Sequence, residues 1–291
     1  VTWDDHEVQN DYAGGTNAQA DAAAFLAQRA AAWQAFYENM PLRATALAGA
    51  QFDRLQVYRR LPWGRLAQLH LLDDRQHRAL QACRKPGATN AGSVRPADCA
   101  ELADPARSLL GPAQEQWLDA GLAADAKNDH TRWSVLAQQT LFSPRRYPSG
   151  QVAADGWDGY PAARERLLQS VQRHSPRNTV LLGGDIHQNY VCNVHAPGAG
   201  GDRPVLASEF CGTSISSRAG TTQDKVDAIA RHNPHVLLAR CEERGYGLAD
   251  ITPEQWTTTL RAVDNPLDPH SSAHTLARFV VQDRKPGPVR A

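Results

Sequence analysis

The chain has 291 residues, 42% of them hydrophobic, and equal numbers of acidic and basic side chains give a formal net charge of zero. This length accommodates one large α/β domain or two small ones. The balanced charge argues against a nucleic-acid-binding patch or an anionic membrane surface as a partner. No apolar run reaches the roughly 18 residues of a membrane-spanning helix.

The first half of the chain predicts helices and strands in alternation. An alanine-rich stretch with 3.6-residue periodicity predicts a helix within residues 16–41. Residues 52–78 predict two strands on either side of a turn at Pro62-Trp63-Gly64. A second helix is predicted at residues 111–124, with a proline in its first turn. Residues 132–142 are then predicted as a strand.

The second half continues this alternation. Residues 159–174 predict a third, amphipathic helix, and residues 178–197 predict a buried strand, a loop and a second strand. Residues 204–217 predict another strand that opens into a polar loop. From about residue 246 the pattern is that of short strands. Strands separated by helices predict a layered α/β architecture in one continuous domain.

The five cysteines form no Cys-x-x-Cys motif, which argues against a zinc ribbon or a thioredoxin-type site. Cys83 and Cys99 bracket a loop rich in glycine, proline and asparagine. Two cysteines that close such a loop favour a disulfide in an oxidising compartment. Two unrelated thiols are the alternative.

The sharpest local signal lies in the stretch NTVLLGGDIHQ. Its apolar run predicts a buried strand, and the two glycines allow a sharp turn before Asp185 and His187. Open α/β sheets bind their ligands at the carboxyl ends of their strands. A carboxylate and an imidazole in this position can ligate adjacent metal ions. The alternative is an aspartate-capped turn with an exposed histidine.

The stretch TWDDHE has the same form, with residues 1–3 predicted as the end of a strand. Adjacent carboxylates at Asp4 and Asp5 repel each other unless a cation or a proton separates them, which predicts raised pKa values in the absence of metal. With His6 and Glu7, they indicate a site for a hard metal ion and an acid–base histidine. A solvated acidic turn is the alternative, but two such clusters at strand ends favour a shared metal centre.

Six stretches occur in order along the chain: TWDDHEVQNDY, LLDDRQHR, RWSVLAQQTLF, DGWDGYPAARERLL, LLGGDIHQNYV and EFCGTSISS. As an ordered set they resemble the PhoD-like alkaline phosphatases, a branch of the calcineurin-like metallophosphoesterases. The resemblance covers nearly the whole chain, as far as ERGYGLADITPEQW.

The resemblance implies an α/β fold, a two-sheet sandwich flanked by helices, with a di- or trinuclear metal site at the strand ends. It also implies hydrolysis of phosphate mono- and diesters, and iron together with calcium as the metals. Members of this family are exported to the periplasm or secreted, so a signal peptide is expected outside this chain. The sequence gives no indication of the oligomeric state.

The superfamily's Gly-Asn-His-Glu/Asp block corresponds to DDHE in this chain. The resemblance gives Asp5 the place of the metal-binding asparagine, with Asp4 as the close alternative. It gives His6 the place of the histidine that contacts phosphate and protonates the leaving oxygen. The superfamily's Gly-His-x-His block corresponds to GDIH, so Asp185 and His187 would ligate different metal ions of the cluster.

Other polar residues in these motifs are candidates for contacts with the substrate. Asn10 would contact phosphate by resemblance, or cap the alanine-rich helix. Arg75 and Arg78 would bind substrate phosphate or a structural carboxylate. The structural role is favoured because Arg–Asp pairs commonly order loops, and Arg75 is kept as a candidate for substrate binding. Gln139 and Glu209 would line the site or support it from the core.

The chain departs from the family at its beginning, because the family's first metal ligands, on an N-terminal strand and in a Gly-Asp block, precede the segment that matches TWDDHE. We therefore expect residues 1–291 to be the C-terminal two thirds of a PhoD-like domain that is incomplete at its N-terminus. Such a chain would bind metal weakly and turn over little phosphoester on its own.

The function expected for the intact protein is metal-dependent phosphoester hydrolysis, in which a metal-activated hydroxide attacks phosphorus in line. The chain contains neither Gly-x-Ser-x-Gly nor a P-loop, which argues against a serine hydrolase or an NTPase. One alternative is an inactive or metal-binding fragment without turnover. Another is a phosphodiesterase or phospholipase D-like hydrolase on the same scaffold.

Overall fold

The structure is a computed structural model that describes residues 1–15, 22–43, 52, 55–88, 90–128, 131–198 and 202–291. The helices are α1 (Ala22–Asn39), α2 (Gly111–Lys127), α3 (Pro161–His174) and α4 (Gln223–His232). The strands are β1 (Arg59–Trp63), β2 (Ala67–Leu71), β3 (Ser93–Val94), β4 (Trp133–Ala137), β5 (Val152–Ala153), β6 (Thr179–Gly183), β7 (Asn189–His195), β8 (Val205–Cys211), β9 (Val236–Arg240), β10 (Arg244–Ile251), β11 (Gln255–Val263), β12 (Ala273–Gln282) and β13 (Lys285–Arg290).

A seven-stranded mixed sheet has the order β1-β2-β4-β6-β8-β7-β9. Strands β2, β4, β6 and β8 run parallel to one another, whereas β1, β7 and β9 pair antiparallel with their neighbours. The carboxyl ends of the four parallel strands therefore meet at one edge of the sheet. Strands β10 to β13 form a separate four-stranded antiparallel sheet in chain order.

The two sheets pack face to face. Side chains alternate between the two sides of each strand, so every second residue of a strand faces the other sheet. On β4, Trp133 and Val135 face Trp256 and Phe279 of the second sheet. Leu136 points to the opposite side, where the core includes leucines of α2 and α3. Fully burying a side chain of this size contributes about 1.5–3 kcal/mol. The predicted fold class, a two-sheet α/β sandwich flanked by helices, is confirmed.

The prediction of a strand at residues 1–3 is wrong. Trp3 is buried, but its ring stacks on Trp33 of α1 with 4.8 Å between the ring centroids, and Phe36 contacts it edge-on. The segment is thus held by aromatic packing against a helix, and it forms no ladder with a neighbouring strand. The first residues of the helix predicted at 16–41 lie outside the described residues.

The C-terminal strands are longer than expected, with eight, nine, ten and six residues in β10 to β13. Helix α4 and strand β9 lie in a part of the chain to which the sequence analysis assigned no element. The predicted disulfide is confirmed, with 6.0 Å between the Cα atoms of Cys83 and Cys99. Among the described residues, no helix is long and apolar enough to span a membrane.

Candidate metal centre

Polar side chains follow three of the parallel strands where these strands end. Asp74 and Arg75 come after β2, Gln139 after β4 and Asp185 after β6. Gln139 connects this edge of the sheet to the N-terminal segment, because its Nε2 donates hydrogen bonds to Thr2 Oγ1 at 2.7 Å and to the Leu72 carbonyl at 2.9 Å. Its Oε1 accepts a hydrogen bond from the Asp74 amide at 3.0 Å. Gln139 therefore holds the N-terminal segment and the end of β2 together by hydrogen bonds.

Asp4, Asp5 and Asp185 converge at this edge although most of the chain separates them in sequence. One carboxylate oxygen of each lies within 4.8 Å of the others. Carboxylate oxygens from different segments are the ligands that hard cations such as calcium prefer. The three aspartates can therefore hold a metal ion together.

Asp5 also organises the turn on which it lies. Its Oδ1 accepts a hydrogen bond from the His6 amide at 2.8 Å, and its Oδ2 accepts one from the Asp11 amide at 2.9 Å. The Asp5 carbonyl accepts from the amides of Val8 and Gln9. Asp5 can both hold this turn and offer a ligand atom, because each carboxylate oxygen has two lone pairs.

Two residues before Asp185, the backbone admits only glycine. A Cβ atom at Gly183 would lie 2.2 Å from the Thr140 carbonyl oxygen. Asp185 and His187 then adopt left-handed conformations, with φ angles of +70° and +54°. Such conformations are strained for residues other than glycine and cluster at functional sites.

Arg75 is fully buried in the middle of the carboxylates. Its Nε, NH1 and NH2 atoms donate to Asp4, Asp155 and Asp185 at 2.6, 2.7 and 2.6 Å. These contacts are those of a residue that orders carboxylates, the role that the sequence favours for Arg75. The side chain is inaccessible in this arrangement. Direct substrate binding by Arg75 stays a prediction.

The sequence analysis gave no role to Asp155, which is a central member of the cluster. It accepts hydrogen bonds from Arg75, from Arg78 NH2 at 2.6 Å and from Gln81 Nε2 at 2.9 Å. Arg78 is also structural, since it donates to the carbonyls of Tyr12 and Asp155. The signal for Asp155 was its place in DGWDGY, one of the family motifs.

The two predicted histidines lie at the periphery of the aspartate cluster. The His6 side chain is 72% exposed, and its Nε2 lies 3.9 Å from Asp5 Oδ2. His187 is outside the group formed by the three aspartates. Its Nδ1 donates to the Arg218 carbonyl at 2.9 Å, which leaves Nε2 available as a ligand atom. Asn10 lies half-buried on the turn after Asp5, and its substrate contact stays a prediction.

Raised carboxylate pKa values are found for Asp4 and Asp185, but repulsion is not their main cause. Burial raises the pKa of Asp4 and of Asp185, Arg75 opposes this rise, and neighbouring carboxylates add to it. Burial also acts to raise the pKa of Asp155. The guanidinium groups of Arg75 and Arg78 outweigh this effect and hold the pKa of Asp155 well below its usual range.

Asp74 shows that the cluster contains more carboxyl groups than its own arginines pair with. It is completely buried, and its Oδ1 has no hydrogen-bond partner within the described part of the chain. Burial raises its pKa to about 7. Five carboxylates, those of Asp4, Asp5, Asp74, Asp155 and Asp185, face the guanidinium groups of Arg75 and Arg78. This donor set fits a hard cation, which would compensate the excess charge.

Glu209 has a structural role near this site. The side chain is fully buried on β8, and its carboxylate accepts hydrogen bonds from the amides of Phe142 and Ser143 at 2.7 and 2.8 Å. Burial raises its pKa. Glu209 thus fixes the loop that follows β4.

The fold and this site define the class of the protein: an α/β sandwich with a cluster of acidic side chains where its parallel strands end. The sequence profile of the PhoD-like phosphatase family matches residues 1–260, and the chain belongs to this family.

Two relatives agree with this assignment. The chain is 37% identical over 294 residues to "Alkaline phosphatase D" of Bacillus subtilis (strain 168), a match that covers 99% of this chain and 48% of that protein. A solved structure of PhoD superposes with a TM-score of 0.88 and 36% identity, over all of this chain and 54% of that one. The chain therefore spans about half the length of these relatives.

Proposed function

We propose that the protein is a metal-dependent phosphoester hydrolase that acts on phosphate mono- and diesters. The observation that carries this proposal is the convergence of Asp4, Asp5 and Asp185, whose carboxylate oxygens lie within 4.8 Å of one another. The name alkaline phosphatase D of the Bacillus subtilis relative supports the reaction class.

In the proposed reaction these three aspartates would hold the metal ions, with His187 Nε2 as a further ligand. Bound metal ions would lower the pKa of a water molecule and polarise the phosphoryl oxygens. Arg75 keeps Asp4, Asp155 and Asp185 in place through its three hydrogen bonds. Calcium suits the carboxylate set, and iron beside calcium follows from the family resemblance.

His6 is proposed to donate a proton to the leaving oxygen. Its exposed imidazole lies at the rim of the cluster and can reach a substrate that approaches from solvent. A positioned general acid of this type contributes about 10²- to 10⁴-fold to the rate. Asn10, on the same turn, is proposed to contact the phosphoryl group.

We also propose that the protein acts outside the cytoplasm, in the periplasm or as a secreted protein. The disulfide between Cys83 and Cys99 supports this location, because disulfides persist in oxidising compartments.

Metal analysis combined with two substrates tests the proposed function. The purified intact protein that contains residues 1–291 should contain or take up calcium and iron, and it should hydrolyse p-nitrophenyl phosphate or bis-p-nitrophenyl phosphate. A clear preference for the bis ester would favour the phosphodiesterase or phospholipase D-like alternative. Metal binding with no turnover of either ester would overturn the proposal in favour of a metal-binding chain without catalysis.

A further inference from the structure

A small cavity of about 130 Å³ adjoins the aspartate cluster. Asp155 and Asp185 form part of its wall, Leu141 and Ile186 contribute apolar surface, and Arg145 lines it as well. The cavity thus brings a cationic side chain to the same space as two members of the candidate metal centre. Neither the motifs nor the comparisons assign a role to this arginine.

The backbone of Arg145 is firmly held. Its amide donates a hydrogen bond to Asp158 Oδ2 at 2.8 Å. Just before it in the chain, the amides of Phe142 and Ser143 donate to the buried carboxylate of Glu209. The loop after β4 therefore presents Arg145 from a fixed position, as a binding residue requires.

The hydrogen-bond partners of the Arg145 side chain are neutral, although the carboxylate of Asp158 acts on it over a longer distance. Its NH2 donates to the Tyr147 hydroxyl at 3.3 Å, and its guanidinium lies 5.6 Å from the centre of the Tyr147 ring. The hydroxyl of Tyr190 also lies beside it; burial raises the pKa of Tyr190 to about 12, and Arg145 opposes this rise. Within the described residues, no carboxylate lies within 4.0 Å of the Arg145 guanidinium.

The acidic residues of the cavity are, by contrast, already bonded. Asp155 accepts from Arg75 and Arg78, and Asp158 accepts from Arg164 at 2.6 Å. Arg145 is therefore a half-buried cation without an ion-pair partner of its own among the described residues. Burying a charge without a counter-charge is costly, and this cost is recovered when an anion binds.

We propose that Arg145 binds the phosphoryl oxygens of the substrate and of the inorganic phosphate product. The planar guanidinium fork matches two phosphoryl oxygens. The small cavity suits a single phosphoryl group better than a bulky leaving group. This inference rests on the proposed function, and it adds a substrate-binding residue to the aspartate cluster.

The test is the affinity of the metal-loaded chain for inorganic phosphate, measured by calorimetry, together with steady-state kinetics on p-nitrophenyl phosphate. Arg145→Gln should weaken phosphate binding and raise KM by about ten- to hundredfold, because it removes charge-assisted hydrogen bonds. Arg145→Lys, which keeps the charge and loses the fork, should be intermediate. The adjacent Arg146 is exposed and lies outside this cavity, so Arg146→Gln is the matched control and should bind phosphate as the unmodified chain does.

Unchanged phosphate affinity in folded Arg145→Gln would overturn the inference. If that variant does not fold, unchanged affinity in Arg145→Lys would overturn it, and so would the absence of phosphate binding by the unmodified chain. Absence of turnover in a chain that still binds phosphate through Arg145 would contradict the proposed function and leave this inference supported.

Discussion

Two buried polar groups lie on the seven-stranded sheet, and they differ in how their charge is balanced. The first connects β2, β4 and α2: His70 Nε2 lies 2.7 Å from Asp125 Oδ2, and Ser134 Oγ donates to the same oxygen at 2.7 Å. One carboxylate here meets an imidazole and a hydroxyl, so its charge has its own partners, although His70 Nδ1 has no hydrogen-bond partner among the described residues.

The aspartate cluster at the strand ends has the opposite character. Five carboxylates face two guanidinium groups, and Asp185 has a strained backbone. A polar group whose charge is balanced stabilises the fold, whereas excess charge and backbone strain are typical of a ligand-binding site. The comparison therefore separates a structural polar group from a functional one by charge balance and backbone strain.

The largest effect is expected from Asp185→Asn. This change removes one of the three converging carboxylates, so metal content and phosphoester turnover should fall to background. Thermal stability of the metal-free protein should stay the same or rise, because Arg75 keeps Asp4 and Asp155 as partners and repulsion decreases. Metal analysis, turnover and a melting curve check the three parts.

Asp119→Asn is the matched control for this prediction, because Asp119 also pairs with an arginine but lies 40% exposed on α2. It should leave metal content and turnover unchanged. Full metal binding by Asp185→Asn would show that the cluster is structural, like the group around His70.

Substitutions of His6, beside the aspartate cluster, and of His70, in the other polar group, also test the comparison. His6→Ala should slow turnover by about 10²- to 10⁴-fold if the imidazole is the general acid, with little change in stability, because the side chain is 72% exposed. His70→Ala should instead lower stability and leave metal content unchanged, since His70 is completely buried. A His6→Ala variant with normal turnover at all pH values would refute the proton-donor role.

Asp125→Asn is expected to have a smaller effect, confined to stability. It weakens the hydrogen bonds that Asp125 makes with His70 and Ser134, and hydrogen bonds to charged groups contribute about 1.5–3 kcal/mol. Denaturant unfolding should show a loss of about 2 kcal/mol, with metal content retained. Loss of metal in this variant would mean that the two polar groups are coupled through β2 and β4.

Much of the site could be predicted because its residues follow recognisable strands. The apolar run before Asp185 and its paired glycines indicated a strand end, and the parallel order of β2, β4 and β6 brings that end to the edge where Asp74 lies. The N-terminal aspartates were assigned correctly to this edge for a partly wrong reason. Trp3 holds them there by stacking on Trp33, and not by pairing as part of a strand.

Other members could not be predicted, because their signal is tertiary. Asp155 follows a strand of only two residues, β5. Its role is visible only in the folded chain, where Arg75 and Arg78 donate hydrogen bonds to it. Arg145 is one of two consecutive arginines in a proline-flanked loop, and nothing local distinguishes it from Arg146. Side-chain direction and the position of a cavity depend on packing between segments that are distant in sequence.

The last prediction concerns the pH dependence of the metal-free chain. Burial raises the pKa of Asp74 to about 7, and it raises the pKa of Asp4 and Asp185 as well. An unfolded aspartate titrates near pH 3.9. Between these values the folded chain binds more protons than the unfolded one, so stability should decrease as the pH rises from about 4 to about 7. Asp155, with its lowered pKa, acts with the opposite sign only below about pH 4.

Melting temperatures of the chelated protein across this range test the prediction. Asp74→Asn should make the slope shallower, because the amide cannot ionise. Added calcium should restore stability most strongly at the upper end of the range, where ionised carboxylates bind it best. A melting temperature that rises with pH in the chelated protein would show that Arg75 and Arg78 already balance the cluster. The charge of the aspartate cluster would then be as well balanced as that of the group around His70, and charge balance would no longer distinguish a functional polar group from a structural one.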